Sequence, residues 1–233
     1  MKYSEVILAM QKKSSPKKAK ASAWFFKTGK GQYGEGDIFI GLTVPEQRII
    51  AKKFSDLPVN EIEKLLKSKI HEHRFTALII LDLLYQKSDK KIRSKIVDFY
   101  LSHTKYINNW DLVDTSASYI LGEHLFKKKR EILYKLARSK NLWERRIAII
   151  STGYFISKND FKDTIEISKL LLSDKQDLIH KAVGWMLREV GKRDEKVLVK
   201  FLDNFIKKMS RTTLRYAIER FPKKKRLYYL NIK

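Results

Sequence analysis

Arg145-Arg146-Ile147-Ala148-Ile149 is one of four strings in this chain with the same make-up: a cation one to three positions before an alanine, inside a run of apolar residues at helical spacing. The others are Arg74-Phe75-Thr76-Ala77-Leu78, His180-Lys181-Ala182-Val183-Gly184 and Thr213-Leu214-Arg215-Tyr216-Ala217. With Ala117 included, the alanines follow one another at intervals of about 31 to 40 residues, the period of a stacked helix pair. A small residue at the same place in each pair lets neighbouring helices approach, and the cation beside it can face a common inner surface. The expectation is an all-α solenoid whose concave groove is lined with Arg and Lys.

The flanking sequence agrees with that class, because strand-like alternation and hairpin signals are nearly absent. Ser15-Pro16 reads as a cap followed by proline at the first helical position, so residues 3–12 and 16–26 are expected as a helix pair. Residues 28–42 hold Gly29, Gly31, Gly34, Gly36 and Gly41 and cannot be helical. Gly29-Lys30-Gly31-Gln32-Tyr33-Gly34 matches a dinucleotide fingerprint in form only, since Ala23-Trp24-Phe25-Phe26 before it reads as the end of a helix rather than a buried strand. Thr43-Val44-Pro45-Glu46 is a capping box, and helices are expected over 45–54, 59–68, 71–86, 90–103, 109–125, 128–139, 142–157, 161–173, 176–191, 194–208 and 211–221. One domain, 1–233, would then comprise a helix pair at 1–27, a Gly-rich loop at 28–42 and repeats from 43 onward.

Composition narrows the partners. Of 233 residues 43% are apolar, enough for a core, and 50 Lys and Arg face 26 Asp and Glu, for a formal charge of +24. A folded protein this basic points to a polyanion. Lys2, Lys12, Lys13, Lys17, Lys18, Lys20 and Lys27 crowd one end, and Lys207, Lys208, Arg211, Arg215, Arg220 and Lys223 to Arg226 the other, so both ends of the arc would grip phosphate. There is no cysteine, which excludes disulfides and thiolate chemistry. No apolar run approaches the ~18 residues of a membrane span and the start lacks a signal-peptide centre, so a cytoplasmic protein is expected. His71, His73, His103, His124 and His180 form no metal-binding pattern, hydrogen bonding is their expected role, and neither a metal nor a cofactor is expected.

Chemistry is concentrated in Asn108-Asn109-Trp110-Asp111-Leu112-Val113-Asp114. The Asn pair suits a helix cap, and Trp110 and Asp114, four apart, fall on one helical face. Arg146 lies 36 residues after Trp110, and Trp185, with Arg188 close behind, lies 39 after Arg146, so each falls about one repeat from the last and would line the groove. Singly, each has an ordinary explanation: a core tryptophan, a surface ion pair, or an Arg146 salt bridge to Glu144 or Asp111. Together, on matching positions of a basic solenoid, they favour a site.

With those residues assembled, the chain resembles the AlkD-type DNA alkylation repair proteins, DNA glycosylases built from HEAT-like helical repeats. The likeness runs through Tyr33-Gly34-Glu35-Gly36-Asp37-Ile38-Phe39-Ile40-Gly41 with Pro45 and Arg48, Asn109 to Asp114, Trp143-Glu144-Arg145-Arg146, Gly184-Trp185-Met186-Leu187-Arg188 and Arg211-Thr212-Thr213-Leu214-Arg215-Tyr216-Ala217. It implies a right-handed solenoid of antiparallel helix pairs, with Asp114 as catalytic carboxylate, Trp110 and Trp185 as lesion-side aromatics and Arg146 as the arginine holding the DNA backbone. Arg145, Lys181, Arg188, Arg211 and Arg215 are the further DNA contacts expected. The implied activity is hydrolysis of the N-glycosidic bond of cationic N3- or N7-alkylated purines in double-stranded DNA by a monomer, the first step of base excision repair. The Gly-rich stretch also resembles a branch of the superfamily with members that bind branched DNA and excise little or nothing. A DNA-binding protein without chemistry is therefore the alternative, and a protein-binding helical-repeat scaffold the second.

Overall fold

The computed structural model describes residues 1–232, which form two compact units, Met1–Ser116 and a second that begins at Ala117. The first unit opens with α1 (Tyr3–Gln11) and α2 (Pro16–Phe25) and crosses a non-helical stretch. It continues through α3 (Val44–Lys53), α4 (Val59–Leu66), α5 (His71–Lys87), α6 (Lys90–Ser102) and α7 (Trp110–Ala117), which starts after a short 3-10 turn. The starts follow from local chemistry. Ser15 Oγ accepts from Lys18 N at 3.4 Å ahead of Pro16, Thr43 N donates to Glu46 Oε2 at 2.8 Å, and Asp89 Oδ1 accepts from Ile92 N at 2.8 Å.

At the centre is α5, buried on most sides and packed on α3, α4 and α6. Its middle is apolar on every side, Phe75 to Leu81 being buried throughout, which places it inside a layer rather than on a surface, while its first turn buries polar groups instead. The Gly-rich stretch is ordered against it. Ile38 N donates to Lys69 O and His71 N to Ile38 O, and the buried carboxylate of Glu72 accepts from Ile40 N, Gly41 N and Leu42 N at 2.8–3.3 Å. Gly41 has φ 84°, and a Cβ there would lie 2.2 Å from Ser15 O, so only glycine lets the loop pass this close to the start of α2.

The second unit begins with a π-helical turn, Ser118–Gly122, followed by α8 (Glu123–Leu125), α9 (Glu131–Ala137), α10 (Leu142–Ser157), α11 (Lys162–Leu171), α12 (Asp177–Arg193), α13 (Glu195–Phe205), α14 (Arg211–Ala217) and α15 (Lys223–Asn231). Here α10 packs on α9, α11 and α12, and α12 in turn on α11, α13 and α14. The alanine-bearing helices thus stack on one another, with Ala148 and Ala182 fully buried and Ala217 nearly so. Ala77 and Ala117 are also fully buried, so the recurrence marks packing contacts throughout. The all-helical class and the stacked pairs are as the sequence leads one to expect, and no strand occurs among the described residues. No helix among them is long and apolar enough to cross a membrane.

Three details differ from expectation. The helix expected over 109–125 is continuous from 110 to 125 but widens into a π turn at Ser118–Gly122, where Ser151 Oγ of α10 donates to Ala117 O at 3.3 Å. The helix expected over 128–139 starts only at Glu131, because Arg130 folds back onto Phe126 O and reaches Asp160 and Asp163. An unanticipated helix, α15, follows Pro222: four successive cations look like a solvated tail, but Tyr229 is buried and its hydroxyl donates to Asp203 Oδ1 at 3.2 Å.

The close approach of α12 and α14 is testable at Gly184, where a Cβ would fall 2.6 Å from Thr213 O and 2.5 Å from Tyr216 Cβ. Gly184→Val should destabilise the protein by about 1–3 kcal/mol, the usual cost of overpacking, seen as a lower urea midpoint. A midpoint equal to the parent's would show that the helices are not held at this distance.

Candidate functional site

Asn109 is fully buried and starts α7: its Oδ1 accepts from Trp110 N at 2.8 Å, and its backbone carbonyl accepts from Val113 N. Leu112 and Val113 are fully buried and hold the back of the helix. The positions one turn apart on the other side, Trp110 and Asp114, therefore line the same cavity of about 430 Å³, as the i, i+4 spacing leads one to expect. Phe25, Phe26, Phe39, His71 and Asp111 share its wall.

The aromatic side of the cavity is a continuous stack. The Phe26 ring lies parallel to Trp110 at 5.2 Å and to Phe39 at 5.1 Å, and Phe39 stacks on the His71 imidazole at 4.6 Å. Trp110 Nε1 donates to the Tyr33 hydroxyl at 3.3 Å, which fixes the indole from the loop side. Tyr33 and Phe39 both belong to the Gly-rich stretch, so that stretch builds one wall of the cavity.

Beside the stack runs a buried charge chain. His71 Nδ1 donates to Asp37 Oδ2 at 2.9 Å and its Nε2 donates to Asp111 Oδ2 at 2.8 Å. Arg74 Nη2 donates to Asp37 Oδ1 at 2.6 Å, and Asn109 Nδ2 to Asp37 Oδ2 at 3.2 Å. Burial alone would push the His71 imidazole down, but Asp111 and Asp37 outweigh it and raise the group from 6.5 to about 9. Burial would likewise raise the Asp37 carboxyl, yet His71 and Arg74 hold it below its ordinary 3.8. Phe26 and Phe39 face the resulting imidazolium, an arrangement that favours the cation. Asp114 acts on a further buried group: burial drives the Tyr100 hydroxyl upward, the bond to Ser116 Oγ at 3.0 Å opposes this, and the charge of Asp114 adds to it.

The second unit carries the remaining expected residues. Arg146 is 4% exposed and its Nη1 donates to Leu178 O at 2.6 Å, tying α10 to α12. Trp185 is half-buried on α12. Arg145 is committed to Asp174, at 2.5 and 3.2 Å, and to the carbonyls of Ser139 and Lys140. Lys181 pairs with Asp177 at 2.8 Å, and Arg188 with Glu189 and Glu219. Arg211 donates to Leu230 O at 2.7 Å, and Arg215 is exposed. The fold thus brings Trp110 and Asp114 together in the first unit and seats Arg146 and Trp185 on packed helices of the second.

A model of the DNA alkylation repair enzyme family matches residues 6–221. The chain belongs to that family. Among solved structures it resembles one described as a predicted DNA alkylation repair enzyme from Enterococcus faecalis, with a TM-score of 0.73 and 17% identity over 90% of this chain and 97% of the other. Among proteins with curated descriptions none matches. In this member of the DNA alkylation repair family, sequence reasoning missed Asp37, His71 and Arg74. Their partners lie 34 to 40 residues away, and nothing local signals the pairing.

The charge chain makes stability depend on pH. His71 is raised, so its contribution is complete below about pH 6.5 and is lost as pH climbs toward 9. His73, which burial and then the Arg74 charge lower to about 4, contributes fully above 6.5 and loses that contribution as pH falls toward 4. The urea midpoint should decline between pH 6.5 and 9, and His71→Gln should lower it at pH 6 while flattening that decline. An equally steep decline in His71→Gln would place its source elsewhere.

Proposed function

We propose that the protein is a DNA glycosylase that releases cationic N3- or N7-alkylated purines from duplex DNA. The observation that carries this reading is the pairing of Asp114 with Trp110 on the wall of one aromatic-lined cavity, in a chain of the DNA alkylation repair family with a formal charge of +24. An alkylated purine of this kind already bears positive charge, so its bond to the sugar breaks without prior protonation. The bonding electron pair passes to the base nitrogen, the base leaves neutral, and the sugar becomes an oxocarbenium ion.

Asp114 then has one task, to oppose the sugar cation and orient the water that attacks C1′. The proton lost by that water goes to the carboxylate and on to solvent, leaving an abasic sugar. Fixed charge facing a developing opposite charge in a site walled by aromatic rings is worth about 3–4 kcal/mol. Trp110 turns an electron-rich face toward the cation and excludes water. His71 holds Asp111, one turn's edge away, and with it the start of α7. Arg146 and Trp185 enter by family position: the indole to cover the lesion's sugar, and the guanidinium to hold the DNA backbone, for which it would have to turn out of its buried bond to Leu178 O. Lys181, Arg188, Arg211 and Arg215 would add phosphate contacts. Selection would rest on lesion charge and bond lability, with little preference for sequence and affinity falling steeply as salt rises.

Base release from methylated duplex DNA tests this directly. Asp114→Asn should slow release of 7-methylguanine or 3-methyladenine by about 10²–10³-fold while DNA affinity stays equal or rises. Release at the parent rate by Asp114→Asn would remove the carboxylate from the mechanism. No release by the parent, with tight binding retained, would leave a DNA-binding protein without chemistry.

A further inference from the structure

The largest exposed aromatic is not in the Asp114 cavity. Trp24, near the end of α2, is 83% exposed, and Phe25 beside it 56%. An indole left so far in water has no packing role to explain it. Lys17, Lys20 and Trp24 stand at i, i+3 and i+7, so they share one face of α2, and Lys17, Lys20 and Lys27 are all exposed. None of these three lysines has an ion pair among the described residues, and α2 contains no acid. Trp24, Phe25, Lys27 and Gln32 border a cavity of about 520 Å³, and Phe25 also lines the Asp114 cavity, where its ring meets Trp110 edge-on at 6.0 Å.

An exposed ring flanked by unpaired ammonium groups is the chemistry that takes a nucleobase on its face and the adjoining phosphates on its cations. A lipid surface fits less well. An interfacial helix needs an apolar face along its length, whereas here Trp24 and Phe25 sit together at one end of a ten-residue helix whose other exposed positions are largely lysine. We propose that Trp24 is a stacking platform for an unpaired base of DNA, with Lys17, Lys20 and Lys27 holding the phosphates of that strand. Phe25 makes the platform continuous with the wall of the Asp114 cavity, so a base displaced next to the bound site would be received there. The inference does not depend on base release: it requires only that the protein bind DNA.

The test uses the full chain and two unmodified DNA duplexes, one fully paired and one with a central three-nucleotide bulge, with affinity read by fluorescence anisotropy at fixed salt. Trp24→Ala should weaken binding to the bulged duplex by roughly tenfold, change binding to the paired duplex less than about twofold, and leave the thermal melt unaltered; Trp24→Phe should keep most of the bulge affinity. Lys20→Ala and Lys27→Ala should weaken both and each reduce the salt dependence by about one phosphate contact. Equal losses on both duplexes, or none on either, overturn the platform. So does Trp24-dependent binding to phosphatidylserine vesicles without a bulge effect, which would make α2 a lipid contact. Because neither duplex is alkylated, failure here and failure of base release in Asp114→Asn are read separately.

Discussion

The protonated His71 between Asp37 and Asp111 is the constraint on which the arrangement of the first unit turns. It joins three segments far apart in the chain: the Gly-rich stretch through Asp37, α5 through its own backbone, and α7 through Asp111. Burying such a group is costly, and an apolar cluster of the same size would hold the segments with less penalty. What the ion network supplies is direction. Each bond of 2.8 or 2.9 Å has a defined donor and acceptor, so the loop and α7 are fixed in register rather than merely pressed together. The start of α5 also explains why two carboxylates are needed. A helix N-terminus disfavours a cation, and a single acid would have to offset both that field and the loss of water.

The adjacent residue completes the same junction with the opposite charge. Glu72, in the first turn of α5, takes the amides of Ile40, Gly41 and Leu42, where a carboxylate gains from the helix dipole and from bonds to backbone N–H groups. Two consecutive side chains thus bind the two ends of one loop segment, His71 at Asp37 and Glu72 at 40–42. A stretch with five glycines would otherwise be free to wander. Held this way it delivers Tyr33 to the Trp110 indole and Phe39 to the aromatic stack.

What could be read in the sequence and what could not divide along one physical line. Periodicity, capping and small-residue recurrence are local, so α3 with its Thr43–Glu46 box, the stacked alanines, and the shared face of Trp110 and Asp114 could all be inferred from neighbouring residues. The π turn, the docking of α15 through Tyr229 and the His71 chain are set by partners distant in the chain, and their sequence signatures are ordinary. The cations were legible as a sum and not individually. Arg145, Arg188 and Lys181 each have a carboxylate partner within the protein, whereas Lys17, Lys20 and Lys27 have none among the described residues, and no count of charges separates the two groups.

A carboxylate facing a cavity looks out of place in so basic a protein, but the two signs act over different distances. In physiological salt the field of exposed lysines is screened beyond about 8 Å, which is far enough to attract and retain a polyanion and too diffuse to choose one atom of it. As proposed, Asp114 would act inside that distance, on the wall of a cavity it shares with aromatic rings, where a charge is felt strongly over a few ångströms and hardly beyond. On the proposed reading the surplus of cations collects phosphate of any sequence, while the acid in the cavity is repelled by phosphate and attracted by a sugar that has turned positive. The same polymer would then be held by its permanent negative charge and acted upon only where a positive one appears, so that discrimination would reside in the lesion's own electrostatics without a surface shaped to read bases.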